Sequence, residues 1–200
     1  MQLGRSPIGP SGAAATSRAF GAGAPVEMGR SPVRLTPDLQ VTPILRVMNR
    51  FESWLAGSGI GVTVKQFPSG TRTAVDAAKA VGCDVGQIVK SLVFVAGGRP
   101  VVALVSGANR LDEGRLAAVA GSPVAKADAE TARTATGYAI GGVPPFGHAT
   151  EVPVFMDRDL LGHGVVWAAA GRPDSVFEIS PDRLRELSDA EVADLKAATP

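Results

Sequence analysis

The sequence predicts an α+β domain with a mixed, largely antiparallel sheet flanked by helices. Short apolar runs rich in Val, Leu and Phe are interspersed with segments of helical period, without strict strand–helix alternation. Two of these runs, Lys90–Ala96 and Arg99–Ser106, are separated by Gly97-Gly98 alone, the spacing of a tight hairpin. Three more, Val152–Asp157, Val165–Ala169 and Val176–Ile179, follow late with no helix between them. That order disfavours a doubly wound parallel sheet.

Composition bounds the reading. The chain has 200 residues, 45% of them hydrophobic and 20% charged, with a formal net charge of +1. This supports a real core and excludes a wholly disordered chain. It also excludes a protein that coats nucleic acid by bulk charge, leaving only a local basic groove. Cys83 is the single cysteine, so neither an intramolecular disulfide nor a thiolate zinc site is available. No apolar run reaches the roughly 18 residues of a membrane span, and no secretory signal pattern opens the chain. A cytoplasmic location is the expectation.

Residues 1–36 are rich in Gly, Ala, Ser, Pro and Arg, and lack an apolar period. We expect them to form a disordered tail ahead of a single domain over 37–200. Gly4-Arg5-Ser6-Pro7 recurs there as Gly29-Arg30-Ser31-Pro32, each shortly after a methionine.

The elements follow in order. Thr42 and Pro43 suit a helix start, with Ile44, Val47, Met48, Phe51 and Leu55 on one face. Gly57 and Gly59 end it. Val62, Val64 and Phe67 mark a short strand. Thr73 and Asp76 have capping-box spacing for a helix that runs to Gly82. Asp84 caps a short turn through Ile88. After the hairpin, Asp112–Ala120 and Asp128–Thr136 read as helices, and Gly141–His148 as a Gly/Pro-rich loop. The three late strands precede two closing helices, Asp182–Leu187 and Asp189–Ala197, the second capped by Ser188.

Little conventional chemistry is written in the chain. His148 and His163 are the only histidines, and neither lies in a metal-ligand spacing; Asp157 and Asp159 alone are weak evidence for a cation. No glycine-rich nucleotide motif is present. Ser106, His148 and Asp157 have the residue types of a hydrolytic triad, but geometry defines a triad and no G-x-S-x-G elbow occurs. Two features remain. Lys90 opens an apolar strand, either as a solvated end or as a cation at a pocket mouth. The GGVPPFGH loop at Gly141–His148 is denser in Gly and Pro than a turn requires, and can present backbone N–H groups to a carbonyl oxygen.

In order and spacing, Thr73–Ala78, Gln87–Phe94, the Gly141–His148 loop, Asp157, Ala170-Gly171 and Phe177–Leu187 together resemble the YbaK/EbsC family. These aminoacyl-tRNA deacylase domains are related to the editing insertion of bacterial prolyl-tRNA synthetases. The resemblance covers roughly residues 44 to 197. It implies a compact domain whose sheet curls toward a barrel. It also implies hydrolysis, in trans, of the ester joining a wrong small amino acid to tRNA, without metal or organic cofactor. By matching positions, Lys90, Gly141 and Asp157 would be catalytic. Ser91, Gly142, Val143, Pro144, Pro145, Phe146 and His148 would contact substrate. Lys90 would hold the 3′-terminal phosphate or orient the terminal adenosine, the Gly141-Gly142 backbone would polarise the ester carbonyl, and Asp157 would bind the α-ammonium group. The stretch Val62–Phe67 departs from the family pattern, leaving the first wall of the amino-acid pocket unassigned.

The implied partner is aminoacyl-tRNA, with or without a synthetase, and no membrane. Arg72, Lys79, Arg99, Arg110, Arg115, Lys126 and Arg133 are candidates for phosphate contacts. Such a factor has a physical rationale: a pocket discriminates one methylene by only about 1–3 kcal/mol, so a second sieve is needed. Two alternatives stand beside this reading: a binding module of the same fold that does not turn over, and an esterase or amidase using Ser106, His148 and Asp157.

Overall fold

The computed structural model describes residues 48–67 and 73–198. Contacts divide the chain into two units, Met1–Ile44 and Leu45–Pro200, and every described residue belongs to the second. The expected tail, the expected helix start at Thr42, and Arg72 lie outside the described residues.

The first helix, α1 (Arg50–Ser58), is opened by Asn49, whose side chain accepts the Glu52 N–H while Glu52 reaches back to the Asn49 N–H. This reciprocal cap sets the start. Met48, expected on the apolar stripe, precedes the cap and is exposed. Phe51 and Leu55 are buried as expected. Strand β1 (Val64–Gln66) is followed by α2 (Ala74–Val81), which carries the Thr73–Asp76 capping box and ends at Gly82 in the left-handed region. A single 3-10 turn, Val85–Gln87, leads into the hairpin.

The hairpin is β2 (Val89–Ala96) with β3 (Arg99–Ser106), paired from Val89↔Ser106 to Ala96↔Arg99. Gly97 and Gly98 take φ of 54° and 84°, the double positive φ that a two-residue turn demands. Next come α3 (Glu113–Ala120), β4 (Val124–Lys126) and α4 (Ala129–Thr136), with Asp112 and Asp128 as the caps of the two helices. The chain continues through β5 (Val154–Asp157), the 3-10 turn Arg158–Gly162, β6 (Val166–Ala169), β7 (Ser175–Ile179), α5 (Pro181–Ser188) and β8 (Glu191–Ala193).

The strands form two sheets. One is three-stranded and antiparallel, in the order β1-β7-β6; the other is five-stranded, β4-β2-β3-β5-β8. In the larger sheet β4, β2 and β3 pair antiparallel, while β3–β5 and β5–β8 are parallel. The α+β class with antiparallel pairing in the majority stands as expected, but the strands are divided between two sheets that meet at an isolated bridge between Ile88 and Trp167.

One expected element is corrected. Asp189–Ala197 is not a helix. Asp189 adopts φ 49°, and its N–H and that of Ala190 return to Glu186 and Arg185, which terminates α5. Ser188 does not cap a new helix; its hydroxyl donates to the Leu184 carbonyl inside α5 at 2.7 Å. Ala193 and Leu195 are buried while Asp194 and Lys196 face outward, a period of two that belongs to a strand. The short strand β4 has no counterpart among the expected elements, because three residues carry too little alternation to register.

Strand alternation distributes the core. Val89, Val93, Val102, Leu104, Val154 and Met156 of the larger sheet pack with Val166, Ala168, Phe177 and Ile179 of the smaller. The opposite face of the larger sheet, with Phe94, Val101, Ala103, Val105 and Phe155, packs with Leu116 of α3 and Leu195. The opposite face of the smaller sheet sets Trp167 and Val176 against Ala77 and Ala78 of α2. Each fully buried Leu or Phe contributes about 1.5–3 kcal/mol. No described helix is long and apolar enough to cross a membrane.

Candidate functional site

A cleft of about 340 Å³ opens between α2, the start of β2 and the smaller sheet. That volume suits a small ligand group. Thr73, Ala74 and Ala77 line it from α2, and Ile88, Val89, Lys90, Ser91 and Leu92 from β2 and its approach. Trp167, Ala169, Ser175 and Val176 come from β6 and β7, and Ile140, Gly141, Val143, Arg172 and Pro173 from two loops. The walls are chiefly apolar, with few polar groups.

Those polar groups differ in their commitments. The Ser91 hydroxyl oxygen is buried and has no hydrogen-bond partner among the described residues. Lys90 alternates with Ser91 along β2, so its side chain leaves the strand on the opposite face. Its ammonium donates to the carbonyl of Gly107 at 3.3 Å and to that of Asn109. Burial lowers the Lys90 pKa below the ordinary lysine value, and the Asp157 charge partly offsets this. Arg172 is half-exposed at the cleft, with its Nε 3.4 Å from an Asp174 carboxylate oxygen.

The Gly141–His148 loop is built to approach closely and then turn inward. Gly141 takes φ 90° and lies on the cleft wall. Gly142 passes so near Arg172 that a Cβ would sit 2.9 Å from its Cα, and its N–H is used by the Ala139 carbonyl at 3.0 Å. Val143 is buried and reaches the cleft wall. Gly142, Pro144, Pro145, Phe146 and His148 are not among the cleft-lining residues. Phe146 instead packs in the core against Phe51, Trp54 and Phe177. His148 is turned back onto the Pro144 carbonyl through Nε2 at 2.8 Å.

Asp157 also lies away from the cleft. It is 1% exposed, and both carboxylate oxygens are used. One accepts from Asn109 Nδ2 at 2.7 Å and from the Ser106 N–H at 3.3 Å. The other accepts from the Asp159 N–H at 3.2 Å. Of the residues singled out in the sequence, the fold therefore brings Lys90, Ser91, Gly141 and Val143 to one cleft. It leaves the remaining six as loop or core neighbours.

No triad forms from Ser106, His148 and Asp157. The Ser106 hydroxyl donates to the Gly86 carbonyl at 2.7 Å, and His148 is held by Pro144. Among the described residues, no group of three or more His, Cys, Asp or Glu side chains could hold a metal. Of the basic candidates for tRNA contact, Arg115 is paired with Asp194 and Asp112. Sequence reading missed Arg172, although the Gly171-Arg172-Pro173 run marks a cation on a tight turn.

The family model of the aminoacyl-tRNA editing domain matches residues 68–187, more than half of the chain. The chain belongs to the aminoacyl-tRNA editing domain family. This editing domain is 31% identical over 130 residues to the uncharacterized protein YwhH of Bacillus subtilis (strain 168), covering 64% of the chain and 83% of that protein. It is 34% identical over 133 residues to the proline--tRNA ligase of Elusimicrobium minutum (strain Pei191), of which it spans only 23%. Among solved structures, a candidate trans-editing enzyme for prolyl-tRNA synthetase superposes with TM-score 0.71 at 49% identity, covering 74% of this chain and 96% of that one. The hypothetical protein APE2540 superposes with TM-score 0.68 at 31% identity, covering 74% and 100%. The kinship expected from the motifs is thus established for the editing domain, and its fold is that of these relatives.

Proposed function

We propose that this chain hydrolyses, in trans, the ester that joins a small, wrongly attached amino acid to tRNA. One observation carries the proposal beyond family membership. The cleft, of about 340 Å³ and with chiefly apolar walls, sets Lys90 and Ser91 beside a glycine loop and Arg172.

In this reading the aminoacyl group enters between Trp167, Ala169 and the α2 residues. Water attacks the ester carbonyl carbon, the bond to the ribose oxygen breaks, and that oxygen takes a proton. The products are the free amino acid and tRNA. The Gly141 backbone faces the carbonyl oxygen as negative charge develops. Arg172 meets a backbone phosphate, a role suited to a planar guanidinium. Lys90 lines the cleft where β2 begins, and its ammonium, held by the Gly107 and Asn109 carbonyls, supplies fixed positive charge at that edge. The chain's contribution is mostly placement, so no protein nucleophile is needed. Asp157, buried with both oxygens occupied, serves the cleft's frame and not the substrate ammonium. The Ser91 hydroxyl, without a partner among the described residues, supports a substrate with a hydrogen-bonding atom beside it in the cleft.

The test is a panel of tRNAs charged with Ala, Ser, Cys, Pro or Thr, followed for ester loss with and without EDTA. Rapid loss for one or two pairs, unchanged by EDTA, is expected. Retention of every ester by a protein that binds tRNA would replace the enzyme with a binding module of the same fold.

A further inference from the structure

The residue best placed to govern Lys90 is one that neither motif nor family match pointed to. Asn109 lies in the turn after β3, where its N–H bonds the Ser106 carbonyl at 3.0 Å. Its main-chain carbonyl accepts the Lys90 ammonium, as does that of Gly107. Its side chain faces the other way. Nδ2 donates to Asp157 Oδ2 at 2.7 Å and to Asp159 Oδ2 at 2.8 Å. A carboxamide nitrogen carries two protons, and here each has its own carboxylate. Asn109 is 9% exposed and Asp157 1%, so the bond between them is little diluted by water. Asp157 also holds the Ser106 N–H, which pins the opposite end of the same turn.

We propose that Asn109 is the positioning residue of the cleft, fixing through its main chain the ammonium of Lys90 while its side chain is anchored between Asp157 and Asp159. The proposal rests on the deacylase reading for its kinetic consequence, but not for its structural one. Asp157 then reaches the reaction through the turn and Lys90, not by touching substrate. An aspartate at 109 would be the wrong residue. It would remove both donors and set a third carboxylate among two.

Two measurements test this. The first needs no activity: amine acetylation of the full chain at mildly alkaline pH, read residue by residue by mass spectrometry. Asn109→Ala should raise Lys90 labelling several-fold while Lys79 and Lys126 stay unchanged. If Asn109→Ala does not fold, the half-exposed Asp159 provides a milder variant. Asp159→Ala should raise Lys90 labelling in the same direction by less. Unchanged Lys90 labelling in the variants that fold overturns the proposal.

The second is a kinetic cycle on whichever aminoacyl-tRNA the wild type hydrolyses. Asn109→Ala should lower kcat by about 10- to 100-fold, the scale of a small misplacement, with KM little changed. In a Lys90→Ala background the same change should cost little more, because both act through one group. Full additivity would make Asn109 a merely structural residue and overturn the proposal. A wild type that hydrolyses nothing removes the deacylase reading and leaves the labelling result to decide the positioning role.

Discussion

Gly107 passes beneath Val85 so closely that a Cβ on it would lie 2.2 Å from the Val85 carbonyl oxygen. Its own N–H bonds the Ile88 carbonyl at 2.7 Å, extending the hairpin by one step. The clash is backbone against backbone, so no rotamer change relieves it. Gly107→Ala should destabilise the domain by about 1–3 kcal/mol. It should also slow deacylation more than the stability loss explains, since the Gly107 carbonyl holds Lys90. Chemical denaturation alongside the charged-tRNA assay separates the two effects.

Ser91→Ala should stabilise the protein slightly or leave it unchanged, because the lost hydroxyl makes no bond among the described residues. The same change should weaken turnover of the preferred ester. A site built around a hydroxyl discriminates strongly against partners that cannot pair with it. A thermal melt and a kcat/KM ratio across the Ser and Ala esters are the measurements. Equal loss on every ester would mean that Ser91 does not read the substrate.

His148 links stability to pH. Burial lowers its pKa below the ordinary 6.5, and the Pro144 carbonyl only partly opposes this. The unfolded chain therefore takes up a proton at a higher pH than the folded one. Stability from the neutral ring is full above about pH 6.5 and is lost as pH falls from there through the folded value. Melting temperatures at several pH values, wild type against His148→Gln, isolate this residue from the carboxylates. The wild type should lose more stability on acidification. Parallel curves would refute the assignment.

Phe177 is fully buried and stacks on Phe51 at 5.3 Å and against Phe146 at 5.6 Å. Phe177→Ala should cost about 3–5 kcal/mol. Because Phe51 carries α1 and Phe146 carries the glycine loop, the damage should reach both. Amide exchange should quicken in α1 and around residue 143 before it does in the β2–β3 hairpin.

Local rules of sequence read much of this fold. Gly97-Gly98 had to turn, since only glycine takes two positive φ values cheaply. Asp112, Asp128 and Thr73 had to open helices, since each side chain satisfies an otherwise orphaned N–H. The site was legible only where chemistry was local. Lys90 and Ser91 are neighbours in sequence, but the pleat sends them to opposite faces, and the motif alone does not say which one meets a ligand. Asn109 bonds a carboxylate 48 residues away, which no spacing rule anticipates. Phe146 and His148 looked like loop chemistry because the loop is rich in Gly and Pro; Phe146 instead packs against the aromatic core and, across Gly147 at φ 74°, His148 turns back onto the Pro144 carbonyl. At the far end, helical propensity in Glu191–Ala197 lost to the open edge of β5, which offered a row of backbone partners.

Strand β8 has a consequence for how the domain is made. It adds in parallel to β5 through Met156↔Val192 and Asp157↔Ala193, and Leu195 behind it is fully buried. A nascent chain emerging from the ribosome can assemble the hairpin early, but β5 keeps a bare edge until residues 191–195 arrive. The edge in question includes Asp157, the anchor of the turn that holds Lys90. Chains arrested or clipped before β8 would thus expose an unpaired strand edge and leave the anchor of that turn unsupported at once, ready targets for proteolytic clearance.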